Sequence, residues 1–249
     1  MIKRRNEIGV DRFNSEYMNR PKISDNPIIR EEWLQHYQQD TVEFRKIEAE
    51  GLYTIVGIDP AISQRETADY TAIITVSKTF DKEPRYYIRR AQKFRAPMRE
   101  WAQQIVVNWS MYKQHLTVIE AVAGFMAARE EIEEQERIHN QRVNLRTVTP
   151  RPKEDKATRA YSVQGLFQQG RVFFDTTDRA IQNLIDELLM FTGAQTSLYP
   201  DDQVDALVYA LIAGEQHSKQ GEEQQRDHKP VVPTGAGFTH VSYPLGRLG

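Results

Sequence analysis

"YTIVGIDPAISQRETADYTAIITV", residues 53–76, holds two apolar strands around a polar loop, and the first strand stops on a carboxylate. Tyr53, Ile55, Val56 and Ile58 read as a buried strand that ends at Asp59. Asp69 precedes the return strand over 71–77. An acid at the end of a buried strand is costly to ionise, because a desolvated carboxylate needs several donors or a cation. Either amides of the turn satisfy Asp59, or something positive from outside does.

Outward from this hairpin, "PRYYIRRAQKF" (84–94) predicts a third strand. After Pro97, an amphipathic helix carries Trp101, Ile105, Val106, Trp109 and Tyr112 at helical spacing, with the tryptophans facing the core. "HLTVIEAVAG" (115–124) is a short buried strand that ends on Glu120. "FMAAREEIEEQERIHN" is a helix with a solvated acidic face, and "VNLRTVTP" is another strand. "KATRAYSVQGLFQQG" is a helix that stops at Gly170, and "RVFF" is a strand. "DRAIQNLIDELLMF" is an amphipathic helix capped by Asp178 or Thr177. "DDQVDALVYALIAGEQ" opens a last apolar helix on three acids. Three strands followed by alternating helices and strands predict a mixed α/β sheet with helices on both faces. Its first three strands form an antiparallel meander, and those after residue 115 add in parallel through right-handed crossovers.

Residues 1–50, with helical stretches broken by Pro21 and Pro27, read as an attached linker-like segment, and residues 51–218 as the α/β domain. Residues 219–249, polar and rich in Pro and Gly, read as a flexible tail. The 249 residues contain 33 Lys and Arg against 35 Asp and Glu, a net charge of −2, so a general DNA-coating role is excluded. Nucleic acid would have to meet local basic stretches, here 85–99 and 146–160. The absence of cysteine removes disulfides, thiolate zinc sites and cysteine nucleophiles. No run approaches about 18 apolar residues, so no membrane span is expected.

Asp59 and Glu120 each end a strand, and Asp201, Asp202 and Asp205 lie within one turn at the start of the last helix. Strand ends of a mixed sheet meet at one edge, where a crossing helix can present its first turn. Carboxylates converging there raise one another's pKa unless cations lie between them. An all-oxygen ligand set suits Mg²⁺ or Mn²⁺, and a pair of such ions is a device for phosphodiester hydrolysis. Taken singly, Asp59 could cap a turn, and Asp201 or Asp202 could be an ordinary helix cap.

"VGIDPAISQRETADYTAI", "VIEAVAGF", "PRPKEDKATRAYSVQGLFQQGRVFF" and "DDQVDALVYAL", in this order, resemble the nuclease domain of bacteriophage terminase large subunits, the motors that package viral DNA. "FNSEYMNRP" followed by "IIREEWLQHY" resembles the segment joining that family's ATPase and nuclease domains. The resemblance covers roughly residues 50–217 and implies a ribonuclease H-like fold. It also implies a metal-dependent endonuclease that cuts duplex DNA with little sequence preference, using two Mg²⁺ or Mn²⁺ ions. By the same resemblance, Asp59, Glu120 and Asp202 are catalytic metal ligands, Asp201 stands beside Asp202, and Asp69 and Asp205 are possible further ligands. Lys156 and Arg159 match a family pattern that holds phosphate. With Arg146, Arg151 and Lys153 they would form a DNA-binding run.

The implied partners are double-stranded DNA and the motor's ATPase domain, with the portal and the small terminase subunit as further candidates, in the host bacterial cytoplasm. The chain contains no G-x-x-x-x-G-K-[ST] loop, so it is not expected to hydrolyse ATP by that route. It reads as an isolated nuclease fragment rather than as the C-terminal part of a longer protein. The alternatives are a Holliday-junction resolvase or hybrid nuclease with the same acid logic, or a non-catalytic DNA- or portal-binding module. Sugar-kinase and actin-like ATPases also begin on a GID hairpin, but their phosphate turns need glycines where this chain has Pro60-Ala61-Ile62.

Overall fold

In the computed structural model, residues 27–61, 70–121, 125–149, 155–193 and 200–227 are described, with side chains of the last segment described to residue 218. Strands β1 (Gln35–Tyr37), β2 (Tyr53–Asp59), β3 (Thr71–Lys78), β4 (Tyr86–Phe94), β5 (Leu116–Glu120), β6 (Leu145–Val148) and β7 (Val172–Asp175) form one sheet. Its order is β1-β7-β4-β3-β2-β5-β6. The β2–β3 and β3–β4 pairs are antiparallel, as expected of the meander. β5 adds to β2, and β6 to β5, in parallel. β7 adds in parallel to β4, on the opposite side of the meander.

The helices are α1 (Val42–Ala49), α2 (Met98–Tyr112), α3 (Phe125–His139), α4 (Lys156–Gln168), α5 (Arg179–Met190) and α6 (Asp202–Asp227). Strand alternation sorts the core onto two faces. Val56, Ile58, Ile73 and Ile119 pack with Trp101 and Ile105 of α2 and Ile132 of α3. Ile55, Ile74 and Val118 pack with Phe167 of α4, Leu184 and Leu188 of α5, and Leu207 and Leu211 of α6. Asp155 caps α4 by accepting from the Thr158 amide, and Asp178 caps α5 by accepting from Ala180. Gly170, with φ of 65°, turns the chain after α4 into β7 in a left-handed conformation that a side chain would disfavour.

Two features extend the elements beyond those read from the sequence. The described part of residues 1–50 belongs to the same compact unit as the α/β core. β1 pairs with β7 along Gln35–Tyr37, and Ile28, Ile29, Leu34 and Phe44 are buried. The reason is edge protection: β7 would otherwise present unpaired amides and carbonyls to water. A strand of three residues has too short a pattern to stand out in a sequence. At the other end, α6 continues to Asp227, nine residues into what reads as a tail.

Gly57 decides how close α6 comes to the sheet. A methyl on its Cα would collide with the Ala206 carbonyl and press on the Ala210 methyl at 3.1 Å. Gly57→Ala is therefore expected to destabilise the protein by about 3 kcal/mol through overpacking against backbone that cannot yield. Urea unfolding measures this, and an unchanged midpoint would show that α6 is free to shift.

Candidate functional site

The register of four strands lays out the site. Asp59 pairs with Ala72 of β3, and Ala72 pairs with Lys93 of β4. On the other side, Ile58 pairs with Ile119, so Asp59 and Glu120 are the next residues along two adjacent parallel strands. Such strands run about 4.8 Å apart. Alternation puts Asp59 on the face of Ile55 and Gly57, and Glu120 on that of Leu116 and Val118, the face covered by α4, α5 and α6. A row Lys93–Ala72–Asp59–Glu120 thus crosses the sheet beneath the first turn of α6. That turn sits low because Gly57 lacks a side chain.

Each acid around this row but one has a partner. Asp202 bonds Lys93 Nζ at 2.9 Å. Asp201 and Asp205 share Lys156 at 2.8 and 2.7 Å. Asp205, almost fully buried, also accepts from the Arg159 guanidinium at 3.2 Å. Glu120 accepts the Tyr209 hydroxyl at 2.6 Å. Glu187 of α5 bonds Lys93 at 2.6 Å and accepts from the backbone and side-chain amides of Gln203 at 3.2 and 3.0 Å.

Asp59 is the exception: among the described residues no donor hydrogen-bonds its carboxyl. Burial pushes its pKa up to about 8, and the nearby Asp205, Glu120 and Asp202 push the same way against Lys156. Burial also raises Asp205, although Lys156 and Arg159 draw it down. The buried Tyr209 is raised well above an ordinary phenol, first by desolvation and then by the Glu120 carboxylate that holds its proton.

Six carboxyl groups (Asp59, Glu120, Glu187, Asp201, Asp202, Asp205) therefore share three cations, Lys93, Lys156 and Arg159. Hard oxygen donors in excess of local positive charge fit a divalent ion of the Mg²⁺ or Mn²⁺ kind. Among the described residues, however, no three acidic or histidine side chains are gathered closely enough to hold one. The strand ends and the first turn of α6 lie at one edge, and there lysine, arginine and tyrosine side chains engage all of these carboxylates except Asp59. Asp69, Arg151 and Lys153 lie outside the described residues.

The basic residues are distributed differently from the sequence reading. Arg159 is 7% exposed, too buried to meet a phosphate, because Asp205 below it needs a counter-charge. Lys156 is half-exposed and Arg146 is exposed on β6. Within 85–99, read as a DNA-facing stretch, Arg89 is buried, pairs with Glu48 and lies against the Phe44 and Tyr112 rings. Lys93 is held by two acids, and Arg95 lies exposed over Tyr70 at 4.4 Å.

Sequence reasoning missed Lys93, Glu187 and Tyr209. A register slip hides Lys93. Thr75 pairs with Arg90 but Val76 with Ile88, which leaves Arg89 unopposed. Counting by twos from the buried Tyr86 and Ile88 puts residue 93 on the other face; the bulge reverses that parity and turns Lys93 toward the acids.

An antiparallel meander extended by parallel strands, helices on both faces and acids along one edge define a ribonuclease H-like fold. A family model described as "Terminase RNaseH-like domain" matches residues 56–213, and the chain belongs to that family. Among solved structures, the large terminase nuclease of thermophilic phage G20c with bound magnesium superposes with a TM-score of 0.54 at 14% identity, covering 76% of this chain and 98% of that one. The P22 large terminase nuclease domain gives 0.52 at 14% identity, covering 78% and 94%. The human cytomegalovirus terminase nuclease domain, soaked in Mn and inhibitor-bound, gives 0.51 at 12% identity, covering 76% and 95%. At these identities the likeness is one of fold. Comparison with curated proteins returns no sequence match. No helix among the described residues is long and apolar enough to cross a membrane.

Proposed function

We propose that this chain is a metal-dependent endonuclease that cuts duplex DNA with little sequence preference during viral genome packaging. Family membership supports the nuclease role. The observation that carries the metal dependence is Asp59, a partly buried carboxyl with Asp205, Glu120 and Asp202 nearby and no hydrogen-bond donor of its own among the described residues. In this reading Asp59, Glu120 and Asp202 hold two Mg²⁺ or Mn²⁺ ions, with Asp201 beside Asp202 and Asp69 and Asp205 as further candidates. Such ions would supply an activated water and a counter-charge for the leaving oxygen of a phosphodiester.

The protein's own groups do the rest. Tyr209 holds Glu120 in one orientation through its hydroxyl. Arg159 opposes the burial-driven rise of the Asp205 pKa and holds that carboxyl in place beneath the helix turn. Lys156, bridging Asp201 and Asp205 yet 42% exposed, has the ammonium best placed to meet an incoming phosphate. Arg146, with Arg151 and Lys153, extends that attraction along the DNA backbone without reading bases. The ATPase domain of the same motor, the portal and the small terminase subunit are the partners this reading entails.

The test is digestion of supercoiled plasmid with Mg²⁺, Mn²⁺, Ca²⁺ or EDTA, beside a four-way junction and an RNA–DNA hybrid. Nicking of plasmid in Mg²⁺ and Mn²⁺ only, rising toward alkaline pH and with DNA binding that weakens steeply with salt, is the expected outcome. Preferential cutting of the junction or the hybrid would replace this reading with that of a resolvase or hybrid nuclease.

A further inference from the structure

We propose that Lys93 is a built-in competitor of the metal at Asp202, an ammonium that the β4 bulge delivers to a carboxylate the cation must take. The inference rests on the metal-site reading above and deepens it. Lys93 Nζ lies 2.9 Å from Asp202 and 2.6 Å from Glu187, and its side chain is 15% exposed, so solvent screens the pair little. Its position is set by sheet register: it stands in the cross-strand row of Ala72 and Asp59, on the face turned inward by the unopposed Arg89.

Glu187 gives the ammonium somewhere else to rest. Lys93 can leave Asp202 and keep Glu187, beside a cavity of about 350 Å³ lined by Tyr70, Lys93, Asn183, Glu187 and Gln203. The two acids thus pull on one lysine. While it bridges them, the first turn of α6 is neutralised without a metal; when it retires to Glu187, Asp202 is free.

The two partners of Lys93 predict opposite signs. Lys93→Gln removes the competitor, so Mn²⁺ affinity rises about tenfold, while melting in EDTA moves to lower temperature. Glu187→Gln removes the resting place, concentrates the ammonium on Asp202 and lowers Mn²⁺ affinity several-fold; the amide still accepts from the Gln203 backbone. A purely structural role for Lys93 would move both variants the same way. Mn²⁺ titration of the full chain by calorimetry and electron paramagnetic resonance gives both affinities without reference to cleavage.

Wild type and Asp59→Asn are titrated in parallel. If Asp59→Asn binds Mn²⁺ as wild type does, the metal-site reading fails and this proposal with it. If Asp59→Asn loses binding but Lys93→Gln binds no tighter than wild type, only the competitor role falls. Should Lys93→Gln fail to fold, an unchanged or raised affinity in Glu187→Gln overturns the proposal by itself.

Discussion

Asp59→Asn loses plasmid nicking by about a thousandfold or more, yet in EDTA at pH 8 it melts at a higher temperature than the wild type. The first effect follows from taking away an anionic ligand from a site whose chemistry depends on the charge it collects. The second follows from proton linkage. Asp59 has an ordinary value of 3.8 and, folded, a value of about 8. Between these limits the folded chain keeps a proton that the unfolded chain releases, so metal-free stability falls as pH rises. The favourable contribution is complete below pH 4 and lost as pH climbs toward 8.

Asparagine cannot ionise, so the variant lacks this slope. Its advantage is absent at pH 4 and grows to a few kcal/mol at most at pH 8. Thermal melts at several pH values in EDTA measure it, and excess Mn²⁺ should stabilise the wild type more than the variant at pH 8. Full nicking by Asp59→Asn would sink the catalytic assignment; parallel pH profiles in EDTA would show that the carboxyl is solvated.

Arg159→Leu is expected to cost about 3 kcal/mol of folding stability, because it leaves a buried carboxylate short of a counter-charge. Asp205 is 3% exposed and Arg159 7%, and the pair bonds at 3.2 Å, with the guanidinium also over the Tyr209 ring at 5.3 Å. Lys156 remains at 2.7 Å, which keeps the loss below that of a fully orphaned ion. Burial already raises the Asp205 pKa, and Arg159 opposes that rise. Without Arg159 the carboxyl rises further, so the deficit of the variant widens as pH increases and narrows in acid. Arg159→Leu combined with Asp205→Leu should recover most of the stability, since an apolar pair of similar volume does not carry the desolvation cost. Urea unfolding of the two single variants and the double variant closes the cycle. Additive losses would mean that the two side chains act independently.

These two cases mark where local pattern stops carrying information. Asp59 and Glu120 are legible because an apolar alternating run that ends on an acid is visible in a handful of consecutive residues. The acids that open α6 are legible because a cluster ahead of an apolar helical run has its own short period. The meander and the helices on both faces follow from the same periodicities. β1 escaped notice because three residues carry no period, although its pairing closes an edge of the sheet.

The partners that give the acids their chemistry are of another kind. Tyr209 and Glu120 are 89 residues apart in sequence, Lys93 and Glu187 are 94 apart, and Arg159 and Asp205 are 46 apart. Periodicity acts over a few residues and therefore specifies which stretches become strands and helices and which of them carry charge. Which charge meets which is settled by packing: by a bulge at Arg89 that reverses a strand's parity, and by a glycine that lets a helix rest on the sheet. Neither effect has any signature at the positions it brings together, because electrostatic pairing depends on separation in space.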